Sequence, residues 1–255
     1  MKKPPNFDLK CDFFSSSRLE DIAILSFRKN LMFHATDLRF RDKVLDYFNR
    51  VSEIDTIKVV VIISSSEKRG SEEYFDFYHQ ALRSKWDQFP IHRIHNVFNQ
   101  LITRILNLNK IVIHANQGRV ISLFLNVSLA CDHRIVSSCT VYQNPYLKHG
   151  LVPIGGGAFF LSKMLGSSKA YEILLSKNDI TAQEAMRLGI VDEVVTPDKL
   201  EESALVAAQR FAQKPAGSLA GVKRLINYYT KDIEGYMELE YQELIRLVEE
   251  KKYRC

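Results

Sequence analysis

Apolar residues follow one another in this chain in two ways, as unbroken β-branched runs and as stripes at helical spacing, and the two alternate. Ile22–Phe27 and Ile57–Ile63 (IKVVVII) are short runs with almost no polar interruption, and Ile111–Ala115 and Arg134–Val136 repeat the pattern more briefly. Branching at Cβ favours extended backbone. A run without polar gaps predicts a strand buried on both faces, as in a parallel sheet with helices on each side. Between the runs, Ala35–Val51 places Leu38, Phe40, Val44, Leu45 and Phe48 near helical spacing, with Thr36 or Asp37 available to cap it. Phe89–Leu108, signalled by Pro90, and Leu123–Ala130 read as further helices, and SSSEKRGS (64–71) reads as a loop. From Ala158 the pattern turns mostly helical: Ala158–Leu165, Lys169–Leu175, Ala182–Leu188, Leu200–Gln213, Leu219–Tyr229 and Ile233–Glu250, with a short strand at Ile190–Val195 ended by Pro197. The expected organisation is an α/β core over 1–195 and a helical region over 196–255, folded as one unit without internal repeats.

Composition narrows the class without naming a function. The 255 residues are 46% hydrophobic and 25% charged, which fits a globular chain and excludes disordered and collagen-like ones. No apolar run reaches the roughly 18 residues of a membrane span. The opening MKKPPNFD lacks the apolar stretch of a secretory signal. Cys11, Cys131, Cys139 and Cys255 form no CxxC pair, so neither a metal site nor a disulfide framework is expected, and a reducing cytoplasm is the simplest compartment. The net charge of +5 is spread along the chain rather than gathered in a basic stripe with interleaved aromatics, so no nucleic-acid partner is expected.

Two stretches are more specific. ACDHRIVSS (130–138) is followed by NPYLKHGLVPIGGGAFFLSKMLG (144–166), and SSKAYEILLSKNDITAQEAMRLGIVDEVV (167–195) by FAQKPAGSLAGVKRLIN (211–227). In order and spacing these blocks resemble the crotonase family, also called enoyl-CoA hydratase/isomerase, over roughly residues 10 to 245. The resemblance implies a crotonase-like spiral of ββα turns with a C-terminal helical region, assembly as a homotrimer or hexamer, and an acyl-CoA thioester as ligand. It implies no separate cofactor, since coenzyme A enters as part of the substrate, and no metal. In the family two backbone N–H groups hold the thioester oxygen as charge grows on it, and one or two glutamates supply acid–base chemistry.

Carried over residue by residue, the family pattern fails at its acids. One family glutamate lies five residues before Cys131-Asp132, where this chain has Asn126. Another follows the proline at Pro145, where it has Tyr146, and a third carboxylate position falls on Ile154. An amide takes no proton at neutral pH, and a tyrosine is a poor base. The family's Gly-Gly-Gly run is Ser122-Leu123-Phe124, which keeps the Leu123 N–H as an oxyanion donor but adds two large side chains beside it. The other donor falls on Ser71 without a gap, or in Arg69-Gly70-Ser71-Glu72 with a two-residue gap, so Gly70 and Ser71 are both candidates. Arg28 and Lys29 occupy the segment where the family places cations on the CoA phosphates. His149 lies three residues after Tyr146, whereas His114 falls inside a strand and reads as a core histidine. No GxSxG motif signals a hydrolase nucleophile. The family's basic-aromatic tail, which touches a neighbour's CoA, corresponds here to KKYRC (251–255), so the CoA site is expected to be short at its rim.

Two functions follow from these residues. One is acyl-CoA chemistry that needs little general base, such as decarboxylation or thioester cleavage, with Tyr146 or His149 giving a proton. The other is a catalytically silent acyl-CoA-binding or oligomer-forming protein. Whether Leu123 and Phe124 fill the acyl pocket separates them.

Overall fold

The computed structural model describes residues 7–65, 67, 69–83 and 89–252. In chain order the elements are β1 (Leu9–Lys10), β2 (Phe14–Leu19), β3 (Ile22–Phe27), α1 (Leu31–His34), α2 (Leu38–Ser52), β4 (Val59–Ile63), α3 (Ser71–Arg83), α4 (Phe89–Asn107) and β5 (Ile111–Asn116). They continue with β6 (Arg119–Ile121), α5 (Ser122–Leu129), β7 (His133–Ser137), β8 (Val141–Gln143), a 3-10 turn at Pro145–His149, α6 (Gly157–Leu165), α7 (Ser167–Leu175), β9 (Ile180–Thr181) and α8 (Ala182–Arg187). The last are β10 (Glu193–Val195), α9 (Leu200–Ala212), α10 (Ala216–Ile226), a 3-10 turn at Asn227–Asp232 and α11 (Ile233–Lys252).

Seven strands form the main sheet in the order β1-β2-β3-β4-β5-β7-β10, parallel from β3 onwards. A smaller sheet joins β6, β8 and β9. Successive side chains of a strand point to opposite faces, and both faces here are apolar. Val60, Ile62 and Val112 enter the larger core with α2, α4 and α5. Val59, Val61, Ile111, Ile113 and Ala115 enter a second core closed by α9. Helix α9 presents Leu200, Ala204, Ala207, Ala208 and Ala212 to the sheet, a stripe of small residues that lets the helix lie close. Double coverage explains why IKVVVII carries no polar alternation.

Most expected elements recur within a residue or two, and Asp37 rather than Thr36 caps α2 by accepting from the Arg39 N–H. The loop expected at 64–71 ends one residue early, where α3 begins at Ser71; Ser66 and Lys68 within it lie outside the described residues. Three elements differ by more. The helix expected from Ala35 begins at Leu38. The strand expected from Ile190 begins at Glu193. The helix expected over Leu219–Tyr229 runs from Ala216 to Ile226 and then tightens into the 3-10 turn. Of KKYRC, residues 253–255 lie outside the described residues. Among the described residues no helix is long and apolar enough to cross a membrane.

Candidate active-site cleft

At the carboxyl ends of β3 and β4 the chain leaves the sheet and meets the start of α5. A narrow cleft lies there, lined by Arg28, Lys29, Ser64, Ser65, Glu73 and Phe124 among others. The crevice outside the carboxyl ends of parallel strands is where open α/β sheets bind ligands. The space open to a water-sized group is only about 10 Å³, the room of about one water.

Both cations expected from the sequence stand at this cleft and are exposed. Lys29 pairs with Glu67 at 2.9 Å, an exposed pair of small energetic weight. Glu73, from the first turn of α3, is buried and accepts a hydrogen bond from the Met32 N–H at 3.1 Å, fixing the start of α1. No sequence pattern marked this carboxylate's place, because α3 was not legible as a helix.

Leu123 and Phe124 lie in the first turn of α5, where N–H groups have no intrahelical partner. Both side chains are buried in the larger core. Leu123 packs where the glycine turn Gly155–Gly157 passes, and Phe124 meets Phe98 at 5.8 Å between ring centroids and lines the cleft. The start of α5, where the resemblance implies an open glycine run, is therefore filled by packed side chains.

Asn126 and Tyr146 hold backbone. The Asn126 amide donates to the Ile154 carbonyl at 2.8 Å and is 1% exposed. A Cβ on Gly157 would stand 2.6 Å from the Asn126 Nδ2, so only glycine fits there. The Tyr146 hydroxyl donates to the Leu174 carbonyl at 2.6 Å, and burial holds its pKa above the ordinary phenol range. His149 sits in an aromatic cluster with Tyr74, Phe75, Tyr78 and His79. Among the described residues lining the cleft, neither Tyr146 nor His149 appears. Of the two loop candidates, the Ser71 N–H donates to the Gln143 side chain at 3.0 Å, and Gly70 is buried in a left-handed conformation against Arg119. Those N–H positions belong to the rim of the small sheet.

The glycine turn has an unexpected partner. Glu240, from α11, accepts the Gly155 N–H at 2.6 Å and the Gly156 N–H at 3.0 Å. It is 6% exposed, and burial raises its carboxyl to about 7 despite those two donors and the Tyr236 hydroxyl. Asp132 is likewise tied down: its carboxylate accepts the Val112 N–H and the buried Lys223 ammonium, each at 2.7 Å, joining α10 to the start of β5.

Comparison with known proteins shows the family and the fold. The family model described as enoyl-CoA hydratase/isomerase matches residues 20–254. The chain belongs to the enoyl-CoA hydratase/isomerase family. Its similarity to a trans-2-decenoyl-[acyl-carrier-protein] isomerase of Streptococcus mutans is 27% identity over 152 residues, 60% of this chain and 57% of that protein. With a carnitinyl-CoA dehydratase of Salmonella arizonae it is 33% over 138 residues, 53% of this chain and 52% of the relative. The chain thus spans about half the length of the curated relatives it matches. The fold is that of an enoyl-CoA hydratase from Bacillus halodurans, with a TM-score of 0.78, 18% identity, and coverage of 94% of this chain and 97% of that one. The crotonase-like α/β fold with C-terminal helices expected from the sequence is therefore the one observed.

Proposed function

We propose that this chain acts on an acyl-CoA thioester at the cleft between β3, β4 and α5, and that it is not a hydratase of the ordinary kind. The observation that carries this is the double engagement of Asn126 with the Ile154 carbonyl and of Tyr146 with the Leu174 carbonyl. Hydration of an enoyl thioester needs a base for the water and an acid for carbon. An amide and a bound phenol stand where the family resemblance puts those two groups. Thioester cleavage or decarboxylation asks less: an oxyanion or enolate must be held, for which the Leu123 N–H is the candidate donor, and a cationic mouth at Arg28 and Lys29 receives the phosphates. The substrate brings coenzyme A, and no further cofactor enters. The core over 1–195 carries the site, the helices over 196–255 frame it, and the compartment is the cytoplasm. The test is direct: offer crotonyl-CoA and acetyl-CoA to the full chain, and follow hydration and thiol release separately. Thiol release without hydration supports the assignment, and hydration at ordinary enzyme rates overturns it.

A second function, a silent oligomer-forming protein, is favoured by one observation. The cleft is almost filled, while α10 and the turn after it expose Val222, Leu225, Ile226 and Tyr228. Such an apolar face suits a homotrimer or hexamer. Sedimentation at micromolar concentration tests the assembly, and absence of calorimetric binding by acetyl-CoA would select this reading over the first.

A further inference from the structure

Behind the cleft lies a chain of three polar side chains that neither the family pattern nor the sequence motifs point to. Strands β4 and β5 are parallel neighbours with Ile62 opposite His114 and Ile63 opposite Ala115. Residues two apart share a face, so Ser64, two beyond Ile62, and His114 project to the same side of the sheet, toward α5. The Ser64 Oγ lies 2.8 Å from His114 Nε2, and the Ser128 Oγ, from α5, lies 2.6 Å from His114 Nδ1. His114 and Ser128 are 3% and 1% exposed, and Ser64 alone of the three lines the cleft. The hydrogen bond from the Ser64 N–H to the Ala115 carbonyl, 3.0 Å, fixes its backbone.

We infer that Ser64 is a nucleophile that takes the acyl group from a thioester, with His114 as its base and Ser128 as the group that orients the ring. A neutral imidazole donates from one nitrogen and accepts at the other. With the proton on Nδ1 donated to the Ser128 Oγ, Nε2 is left to accept from the Ser64 hydroxyl, the arrangement in which a serine is activated by an adjacent base held by a third group. The Ser64 Oγ bonds to the thioester carbonyl carbon, its proton passes to His114 Nε2, and the carbon–sulfur bond breaks with the sulfur taking that proton and leaving as coenzyme A thiol. Water then attacks the seryl ester and gives its proton to Nε2. The ester carbon–oxygen bond breaks, Ser64 Oγ recovers the proton, and a carboxylic acid is released. The sum is thioester plus water to acid plus thiol, with no oxidant or second substrate. The same geometry accounts for catalysis without the carboxylates at positions 126 and 146. Phe124 lines the same narrow cleft as Ser64, so an acyl group reaching Ser64 displaces its ring.

This inference rests on the assignment of an acyl thioester as ligand, and the test keeps the two apart. The full chain is mixed with acetyl-CoA. Binding is read by calorimetry, thiol release by chromatography of coenzyme A, and acylation by mass spectrometry of the peptide carrying Ser64 after acid quench. We expect one acetyl group on that peptide, or steady thiol release where the ester turns over faster than it accumulates. Ser64→Ala abolishes both, and His114→Asn slows them by about 10²-fold or more. Ser64→Cys keeps a nucleophile of similar size and takes the acetyl as a thioester cleaved by hydroxylamine at neutral pH, a signature that a merely structural hydroxyl does not give. Circular dichroism of each variant separates loss of chemistry from loss of fold. Acetyl-CoA that binds without acylating Ser64 and without releasing thiol above the buffer rate overturns the nucleophile and leaves the ligand assignment standing. Thiol release that persists in folded Ser64→Ala overturns the nucleophile as well. Absence of binding overturns both.

Discussion

Two buried polar centres flank helix α5, and they use the same kinds of atoms to opposite ends. Ser128 and Asn126 are two residues apart on that helix and so point about 200° from one another. On the Ser128 side, hydroxyls and an imidazole bond side chain to side chain, and one end of the series opens at the cleft. On the Asn126 side the bonds go mainly to backbone: the amide donates to the Ile154 carbonyl, and Glu240 accepts the Gly155 and Gly156 N–H groups beside one side-chain partner, the Tyr236 hydroxyl. Side chains that bond one another can exchange a proton and remain satisfied. Side chains that hold backbone cannot let go without leaving a buried group unpaired, at a cost of about 1–3 kcal/mol. Burial alone therefore does not mark a site; the partner's nature does.

The contrast can be broken first at the chemistry. If the Asn126 side is structural, and the family's two acid–base groups belong at Asn126 and Tyr146 as the resemblance implies, crotonyl-CoA hydration should fall at least about 10⁴-fold, at about 10² or more for each group. A coupled spectrophotometric assay reads this. Next comes the packing on the Ser128 face of α5, which Phe124 shares four residues earlier. Phe124→Ala removes a buried ring, so the chain should lose about 3–5 kcal/mol in denaturant unfolding, while the widened cleft should bind acetyl-CoA more tightly by calorimetry. Unchanged affinity would show that Phe124 does not limit access.

Glu240 gives a pH test. Its carboxyl titrates near 7 in the fold against an ordinary 4.5, because burial outweighs the two N–H donors. The folded state therefore binds the proton more tightly than the unfolded one, so stability falls as pH rises from about 4.5 to about 7, by about 3 kcal/mol in all. Glu240→Gln should flatten that window, as read from urea midpoints at several pH values; a parallel decline in the variant would assign the slope to other groups. The smallest effect is expected at Asn126 itself. Asn126→Ala removes the donor to the Ile154 carbonyl and leaves that buried oxygen unpaired, with a cost of about 1–3 kcal/mol in urea unfolding and no change in hydration.

Much of the scaffold was legible because its causes are local. IKVVVII is β-branched and doubly covered, and Asp37 caps the helix that follows it in sequence by a bond two residues long. Helix α3 was not legible: its apolar positions Tyr74, Phe77, Tyr78 and Ala81 are interrupted by charges and preceded by a serine-rich stretch that reads as loop. Strand β2 hid behind three serines, one of which, Ser16, is buried by donating to the Phe7 carbonyl. At the candidate cleft, Arg28 and Lys29 were expected from the resemblance and line it. Ser64, Glu73 and Glu240 were not expected, because their roles depend on partners 50, 41 and 85 residues away. His114 was read as a core histidine from its strand, which is where it lies; the register that sets Ser64 beside it is a property of two strands together. The parity of IKVVVII with IVIHAN, counted from their starts, was the one signal that could have revealed it.

The cap on the glycine turn has a consequence in time. Glu240 is made 85 residues after Gly155. At about 5–20 residues per second, roughly 4–17 seconds separate the synthesis of the turn from that of its cap. Strand β10 and helices α9 and α10 are made within that interval. The Gly155 and Gly156 N–H groups therefore gain their carboxylate partner only after the last strand of the main sheet exists, and closing this turn is a late event of synthesis.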